Sequence, residues 1–213
     1  MSIEWFGEGC FKITETGNHF SILTELPSKE SGLSIPRHKT DVFLSVFSQL
    51  SDSLFNEEKK DWFIIKNAGE YELKGNFIYG MVVGTEKELI KSIYKIKIEN
   101  IKIGYLGTMN DKEMTPEVGN FLTDTEIMIL PIGGGDLLNV EKVIEIIKQI
   151  EPKIVIPMYY KIPNLKIKRN DLESFLKKAE IKSIEQNLDK FSIKKRDLEN
   201  WGEEIKIISL KAL

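Results

Sequence analysis

Apolar residues follow two rhythms along this chain, and the change between them organises it. In the first third they come in short runs bounded by turn residues. Cys10–Ile13 and His19–Thr24 are predicted strands joined by a turn at Thr16-Gly17-Asn18. Pro27 to Lys39, punctuated by Ser, Gly and Pro, reads as a loop. Val42–Val46 is a continuous apolar run and so a buried central strand. Asp61–Asn67 and Asn76–Val83 are further strands on either side of Gly69-Glu70-Tyr71-Glu72. Ile93–Ile98 and Lys102–Leu106 alternate polar with apolar residues, and Glu99-Asn100 between them is a hairpin turn.

The period then lengthens. Thr115-Pro116-Glu117 opens a helix, with Thr115 as N-cap and Pro116 at the first helical position. Glu126–Pro131 is a buried strand that runs into Ile132-Gly133-Gly134-Gly135. Val140, Val143, Ile144, Ile147 and Ile150 keep the helical period until Pro152 stops it. Lys153–Met158 is the next buried strand, Asn170–Ala179 a helix with Asn170 as N-cap, and Phe191–Lys195 and Glu204–Leu210 closing strands. There is no short-period internal repeat. Strands, then alternating helix and strand, then strands predict a layered α/β sandwich in one domain spanning 1–213.

Composition narrows the chemistry more than the fold. Hydrophobic residues at 41% and charged residues at 30% suit a globular chain rather than a disordered one. A net charge of −3 provides no overall attraction to nucleic acid, which is not expected as a partner. The two basic stretches, Lys161, Lys166, Lys168 and Arg169 and then Lys194, Lys195 and Arg196, read as solvated faces. No apolar run approaches the roughly 18 residues that span a bilayer, and the opening Met1-Ser2-Ile3-Glu4-Trp5 is unlike a secretory leader. A single cysteine, Cys10, forms no internal disulfide, so a cytoplasmic location is expected. The two histidines, His19 and His38, cannot furnish a dinuclear zinc centre, which draws on four or more imidazoles with carboxylates.

Five segments, in order, carry a resemblance. They are Trp5-Phe6-Gly7-Glu8-Gly9-Cys10-Phe11-Lys12-Ile13, Asn67-Ala68-Gly69-Glu70-Tyr71-Glu72-Leu73-Lys74-Gly75, Gly104-Tyr105-Leu106-Gly107-Thr108, Leu130-Pro131-Ile132-Gly133-Gly134-Gly135, and Glu151-Pro152-Lys153-Ile154-Val155-Ile156-Pro157-Met158-Tyr159-Tyr160. Together they resemble the small zinc-dependent hydrolase-like branch of the metallo-β-lactamase superfamily, related to the ascorbate lactonases. The resemblance implies a four-layer αββα sandwich and, for the family, zinc. It also implies that the stretch after Val46 is where a His-x-His-x-Asp-His metal motif would stand. Those positions hold Phe47, Gln49, Ser51 and Asp52. The first-strand histidine corresponds to Glu8, the bridging aspartate to Thr108 and the last histidine to Tyr159, and a further histidine would fall near Gly84-Thr85. Of the four motif positions only Asp52 keeps a charged oxygen, so zinc is not expected in this chain.

Other chemistry is weighed on the residues themselves. Glu8, Asp52, Glu70 and Tyr159 are the residues of a rebuilt, metal-free or weakly metal-dependent hydrolytic site, and Asp111 is a further carboxylate for such a cluster. Solvated or hydrogen-bonded loop carboxylates are the plainer reading. Cys10, between Gly9 and Phe11 on an apparent strand, reads as a small buried hydrophobe rather than a nucleophile. Gly133-Gly134-Gly135 reads as a tight turn, because it lacks the lysine of a phosphate loop. Leu50, Leu54 and Phe55 fill the emptied pocket or face a partner. The first expectation is a catalytically inactive binding or structural subunit that self-associates or pairs with an active relative. The alternatives are the rebuilt hydrolase and a small-molecule sensor using the same cleft.

Overall fold

The computed structural model describes residues 1–17, 19–34, 39–49 and 61–213. Among these, two β-sheets stack face to face. The first has strand order β13-β1-β2-β3-β4-β5, built from β1 (Ser2–Trp5), β2 (Phe11–Thr14), β3 (Ser21–Thr24), β4 (Val42–Leu44), β5 (Phe63–Ile65) and the short β13 (Phe191–Ser192). Alternation fixes its two faces. Ile3, Trp5, Phe11, Ile13, Ile22, Val42 and Leu44 turn into the main core. Leu23 and Phe43 turn the other way and join Phe6, Cys10 and Leu26 in a smaller cluster against which Trp62 packs. Cys10 is therefore fully buried among apolar neighbours, as its flanks indicate.

The second sheet runs β12-β14-β11-β10-β9-β8-β7-β6, from β6 (Gly69–Leu73), β7 (Asn76–Glu86), β8 (Leu89–Ile98), β9 (Ile101–Tyr105), β10 (Ile127–Pro131), β11 (Ile154–Met158), β12 (Ser183–Leu188) and β14 (Lys206–Leu210). β6 to β9 form an antiparallel meander; β9, β10, β11, β14 and β12 pair in parallel. Parallel pairing needs crossovers, and helices provide them: α1 (Pro116–Leu122), α2 (Val140–Ile150) and α3 (Leu172–Ala179). β10 and β11 are buried at every residue because both faces of the sheet are covered there. The result is the α/β sandwich that the sequence leads one to expect, with β-ladders inside and helices outside.

Local signals hold where they are strongest. Thr115 caps α1 by accepting from Val118 N–H, with proline in the first turn, and α2 spans Val140–Ile150 as its periodicity indicates. Glu99 and Asn100 both adopt positive φ, the requirement of a type I′ turn. Elsewhere the structure corrects the reading. The N-cap of α3 is Asp171, whose carboxylate accepts from Ser174 N–H, rather than Asn170. β7 and β8 extend to Glu86 and Leu89 because they lengthen each other by pairing. β12, with an irregular register and little apolar periodicity, and α4 (Lys195–Glu199), where a strand was expected to end, have no clear local signal.

Candidate functional site

The site is built where the C-terminal ends of strands from both sheets meet. On one side, the β1–β2 connection folds tightly: Cys10 N–H donates to the Gly7 carbonyl at 3.0 Å and Phe6 N–H to the Cys10 carbonyl at 2.8 Å. Glu8 is held there with φ of 48°, an uncommon conformation for a residue with a side chain. Its carboxylate is 6% exposed at the residue level and engages Arg169, Nη2 to Oε2 at 2.7 Å and Nε to Oε1 at 3.3 Å. The guanidinium also lies 5.3 Å from the centre of the Tyr159 ring. Tyr159, just past β11, has φ of 56°. Gly133 explains how it is seated: a Cβ there would come 1.8 Å from the Tyr159 carbonyl oxygen. Asn170 N–H donates to the Gly133 carbonyl at 3.0 Å, so the glycine loop is a close-packed turn.

Two tyrosine hydroxyls converge on Gly9. Tyr105 Oη donates to the Gly9 carbonyl at 2.8 Å, and Thr24 Oγ1 donates to the same carbonyl at 2.6 Å. A Cβ on Gly9 would come 2.5 Å from Tyr159 Oη and 2.8 Å from Tyr105 Oη. Burial pushes both hydroxyls well above the ordinary tyrosine value, and the charge of Glu25 adds to each, with Glu8 contributing at Tyr159. Glu25 follows β3 and is half-buried. Its carboxyl accepts from Val46 N–H, and Ser45 also hydrogen-bonds it. Burial outweighs these bonds and raises its pKa above the ordinary glutamate value.

On the other side stands Lys91, fully buried on β8. Its Nζ donates to the Thr108 carbonyl at 2.6 Å and to Glu113 Oε1 at 3.1 Å, and lies 3.0 Å from Glu113 Oε2. Glu113 closes a capping box with Asn110 that fixes its carboxylate. Phe47 forms an antiparallel bridge with Lys91. A Cβ on Gly84 would sit 3.5 Å from Glu113 Oε1. Gly107 lies against Val46, where a Cβ would collide at 2.2 Å, which ties the Thr108 turn to the end of β4.

The expected residues thus separate. Glu8 and Tyr159 come together, joined by Arg169, whose side chain is largely buried in an ion pair rather than solvated with its basic neighbours. Phe47, Thr108 and Gly84 gather around the Lys91–Glu113 pair. Gln49 is exposed just beyond Phe47. Glu70 lies on β6 against Tyr79 of β7, exposed and away from Glu8. Asp111 accepts from the Asn139 N–H and amide ahead of α2. Ser51, Asp52, Leu50, Leu54, Phe55 and His38 lie outside the described residues. Glu25, Lys91 and Glu113 carry no sequence signal of a site. In the sequence Lys91 looks like Lys95 and Lys97 of the same strand, and only its bonds to the Thr108 carbonyl and Glu113 show that it is buried.

The described donors do not form a zinc set. Phe47 and Gly84 have no donor side chain, Thr108 and Tyr159 offer neutral oxygens, and the Lys91 ammonium already lies 2.6 Å from the Thr108 carbonyl. Thr108 Oγ1 is buried without a hydrogen-bond partner among the described residues, a single neutral oxygen. Among the described residues, no group of three or more His, Cys, Asp and Glu could hold a metal ion.

Two stacked sheets flanked by helices, with a polar cluster at the strand ends, define the metallo-β-lactamase fold. Residues 2–159 match the family model described as the beta-lactamase superfamily domain, and the chain belongs to that hydrolase superfamily. Its structure is similar to a Thermotoga maritima protein assigned as a Zn-dependent hydrolase of the metallo-β-lactamase superfamily: TM-score 0.76, 22% identity, 99% of each chain covered. It is also similar to Igni18, a metallo hydrolase from Ignicoccus hospitalis, at TM-score 0.62 and 20% identity over 84% of this chain and 90% of that one. YhfI from Bacillus subtilis, a metallo-β-lactamase fold protein, aligns at TM-score 0.59 and 8% identity over 99% and 96%. Among the described residues, no helix is long and apolar enough to cross a membrane.

Proposed function

We propose that the chain is a hydrolase of this superfamily whose site has been rebuilt to work without zinc. Glu25 carries the reading: a carboxyl raised by burial, facing Tyr105 and Tyr159 at the strand ends where the fold places its chemistry. A raised carboxyl holds a proton to higher pH and can deliver it to a leaving group. Tyr159, protonated throughout the neutral range, serves as donor to developing negative charge, Tyr105 holds the Gly9 turn beside it by donating to the Gly9 carbonyl, and Arg169 with Glu8 positions the substrate. The test is a panel of ester, lactone and phosphodiester substrates with chelator-treated protein. Turnover that persists in chelator and falls about a hundredfold or more in Glu25→Gln supports the reading. Turnover only after zinc is restored, or equal turnover in Glu25→Gln, overturns it.

A second reading is a non-catalytic binding or structural subunit. The Lys91–Glu113 pair supports it, because an internal ion pair sits against the Thr108 carbonyl and Gly84. Phe63 and Ile64, exposed among the described residues on β5 at the end of its sheet, support self-association or pairing with a relative. No turnover across the panel, with a dimer by light scattering that Phe63→Lys dissociates, is the outcome it expects.

A further inference from the structure

The outer face of the β6–β9 meander carries a pattern unrelated to the strand-end cluster. Ile78, Tyr94, Ile96 and Ile103 turn into the core. The alternate residues of the same strands, Phe77 and Tyr79 on β7, Lys95 and Lys97 on β8, and Lys102 on β9, turn outward and are half-buried. Register places them side by side: Tyr79 is opposite Lys95, Phe77 opposite Lys97, and Lys97 opposite Lys102. The Phe77 and Tyr79 rings are stacked, 6.4 Å apart and inclined by only 9°. Lys97 Nζ lies 5.6 Å from the centre of the Phe77 ring. Beside this platform a cavity of about 600 Å³ is lined by Gly69, Glu70, Tyr79, Lys95, Lys102 and Phe121.

Glu70 and Glu72 stand opposite Tyr79 and Phe77 on the same face, but they form no ion pair with its lysines among the described residues. Lys95 donates to the Phe121 carbonyl at 2.8 Å and lies over its ring, and among the described residues no carboxylate comes within 4.0 Å of Lys95 or Lys97. Lys102 reaches only the well-exposed Asp124, at 3.6 Å. Burial lowers the Lys95 pKa and the neighbouring Lys102 adds to the effect. A bound anion would relieve both. Flat rings standing beside a cationic row match a ligand that is itself a flat ring attached to a phosphate.

We propose that this face binds a nucleotide, its base stacked on Tyr79 and Phe77 and its phosphate held by Lys95, Lys97 and Lys102, with Glu70 available to a sugar hydroxyl or base N–H. The ligand chemistry is shared by free nucleotides and by single-stranded nucleic acid. The full chain is titrated at low salt with ADP by calorimetry and with a short fluorescein-labelled oligouridylate by anisotropy. Saturable binding is expected, weakened about tenfold by Tyr79→Leu and at least as much by Lys97→Ala with Lys102→Ala. The lysine variant should also flatten the salt dependence. Binding of the oligouridylate without ADP assigns the site to a single strand; binding of ADP assigns it to a free nucleotide. Thermal melts confirm that the variants are folded, since the altered side chains lie outside the main core. Absence of binding by either probe up to about 1 mM overturns the proposal. So does binding that survives both variants, or inorganic phosphate binding as tightly as ADP.

Discussion

Lys91 is the residue on which the candidate site turns. An ammonium with no exposure is tolerable only when its donors are met, and the Thr108 carbonyl and the Glu113 carboxylate meet them. Removing Lys91 leaves the Glu113 carboxylate buried without its cation, and removing Glu113 leaves the Lys91 ammonium facing the Thr108 carbonyl and the exposed Glu86 at 3.7 Å. Lys91→Met or Glu113→Leu should each cost about 3–5 kcal/mol of stability. The double variant should lie much nearer to wild type, because two apolar side chains leave no stranded charge. Urea denaturation of the four proteins measures this, and additive losses would show that the pair is not coupled. None of this was legible in the sequence. Phe47, Thr108 and Tyr159 stand out there against the pattern the resemblance implies, but the charged residues packed beside them do not. Glu25, Lys91 and Glu113 are ordinary charged residues until the packing shows what surrounds them. Cys10 was legible, because a small residue between Gly9 and Phe11 on a strand carries its own context.

At the level of elements, the glycine loop after β10 decides how Tyr159 is presented. Gly133 and Gly135 are separated by one residue and differ in what they do. A methyl on Gly133 would strike the Tyr159 carbonyl, a backbone atom that cannot swing aside, whereas nothing lies within 4 Å of a methyl on Gly135. Gly133→Ala should therefore cost about 3 kcal/mol by overpacking. Gly135→Ala should cost about 1 kcal/mol, the strain of its left-handed φ of 70°. Thermal melts of the two variants compare them, and equal losses would contradict the close contact. The loop's existence followed from its composition, and so did the N-cap of α1 and the span of α2, since each rests on interactions within a few residues. β12 and α4 were missed because pairing with β14 and docking through Leu198 form them, and neither leaves a local period.

For the whole molecule, buried and paired carboxyls set the response of stability to pH. Burial alone would raise Asp41, but the Lys74 ammonium and the Ser21 N–H more than offset it and its pKa is lowered. A lowered carboxyl contributes stability that is present above the ordinary aspartate range and is lost as pH falls through its depressed value. Glu25 has the opposite sign: its pKa is raised, so its contribution is full at acid pH and is lost as pH rises through the raised value. Urea midpoints measured across pH should accordingly fall on both flanks. Asp41→Asn should flatten the acid flank and Glu25→Gln the upper one, and an unchanged upper flank in Glu25→Gln would show that its carboxyl is not raised. The sequence by itself determined the class of fold, because alternation, helical period and turn chemistry are local and recur in order along the chain. It also determined that the whole chain holds only two histidines. Tertiary structure alone decided that Glu8 meets Arg169, that Lys91 meets Glu113 and Thr108, and that Glu70 stands apart on the edge of the second sheet. Those meetings depend on how strands far apart in the chain are brought into register, and charge paired across such distances leaves no periodic trace in the residues that carry it.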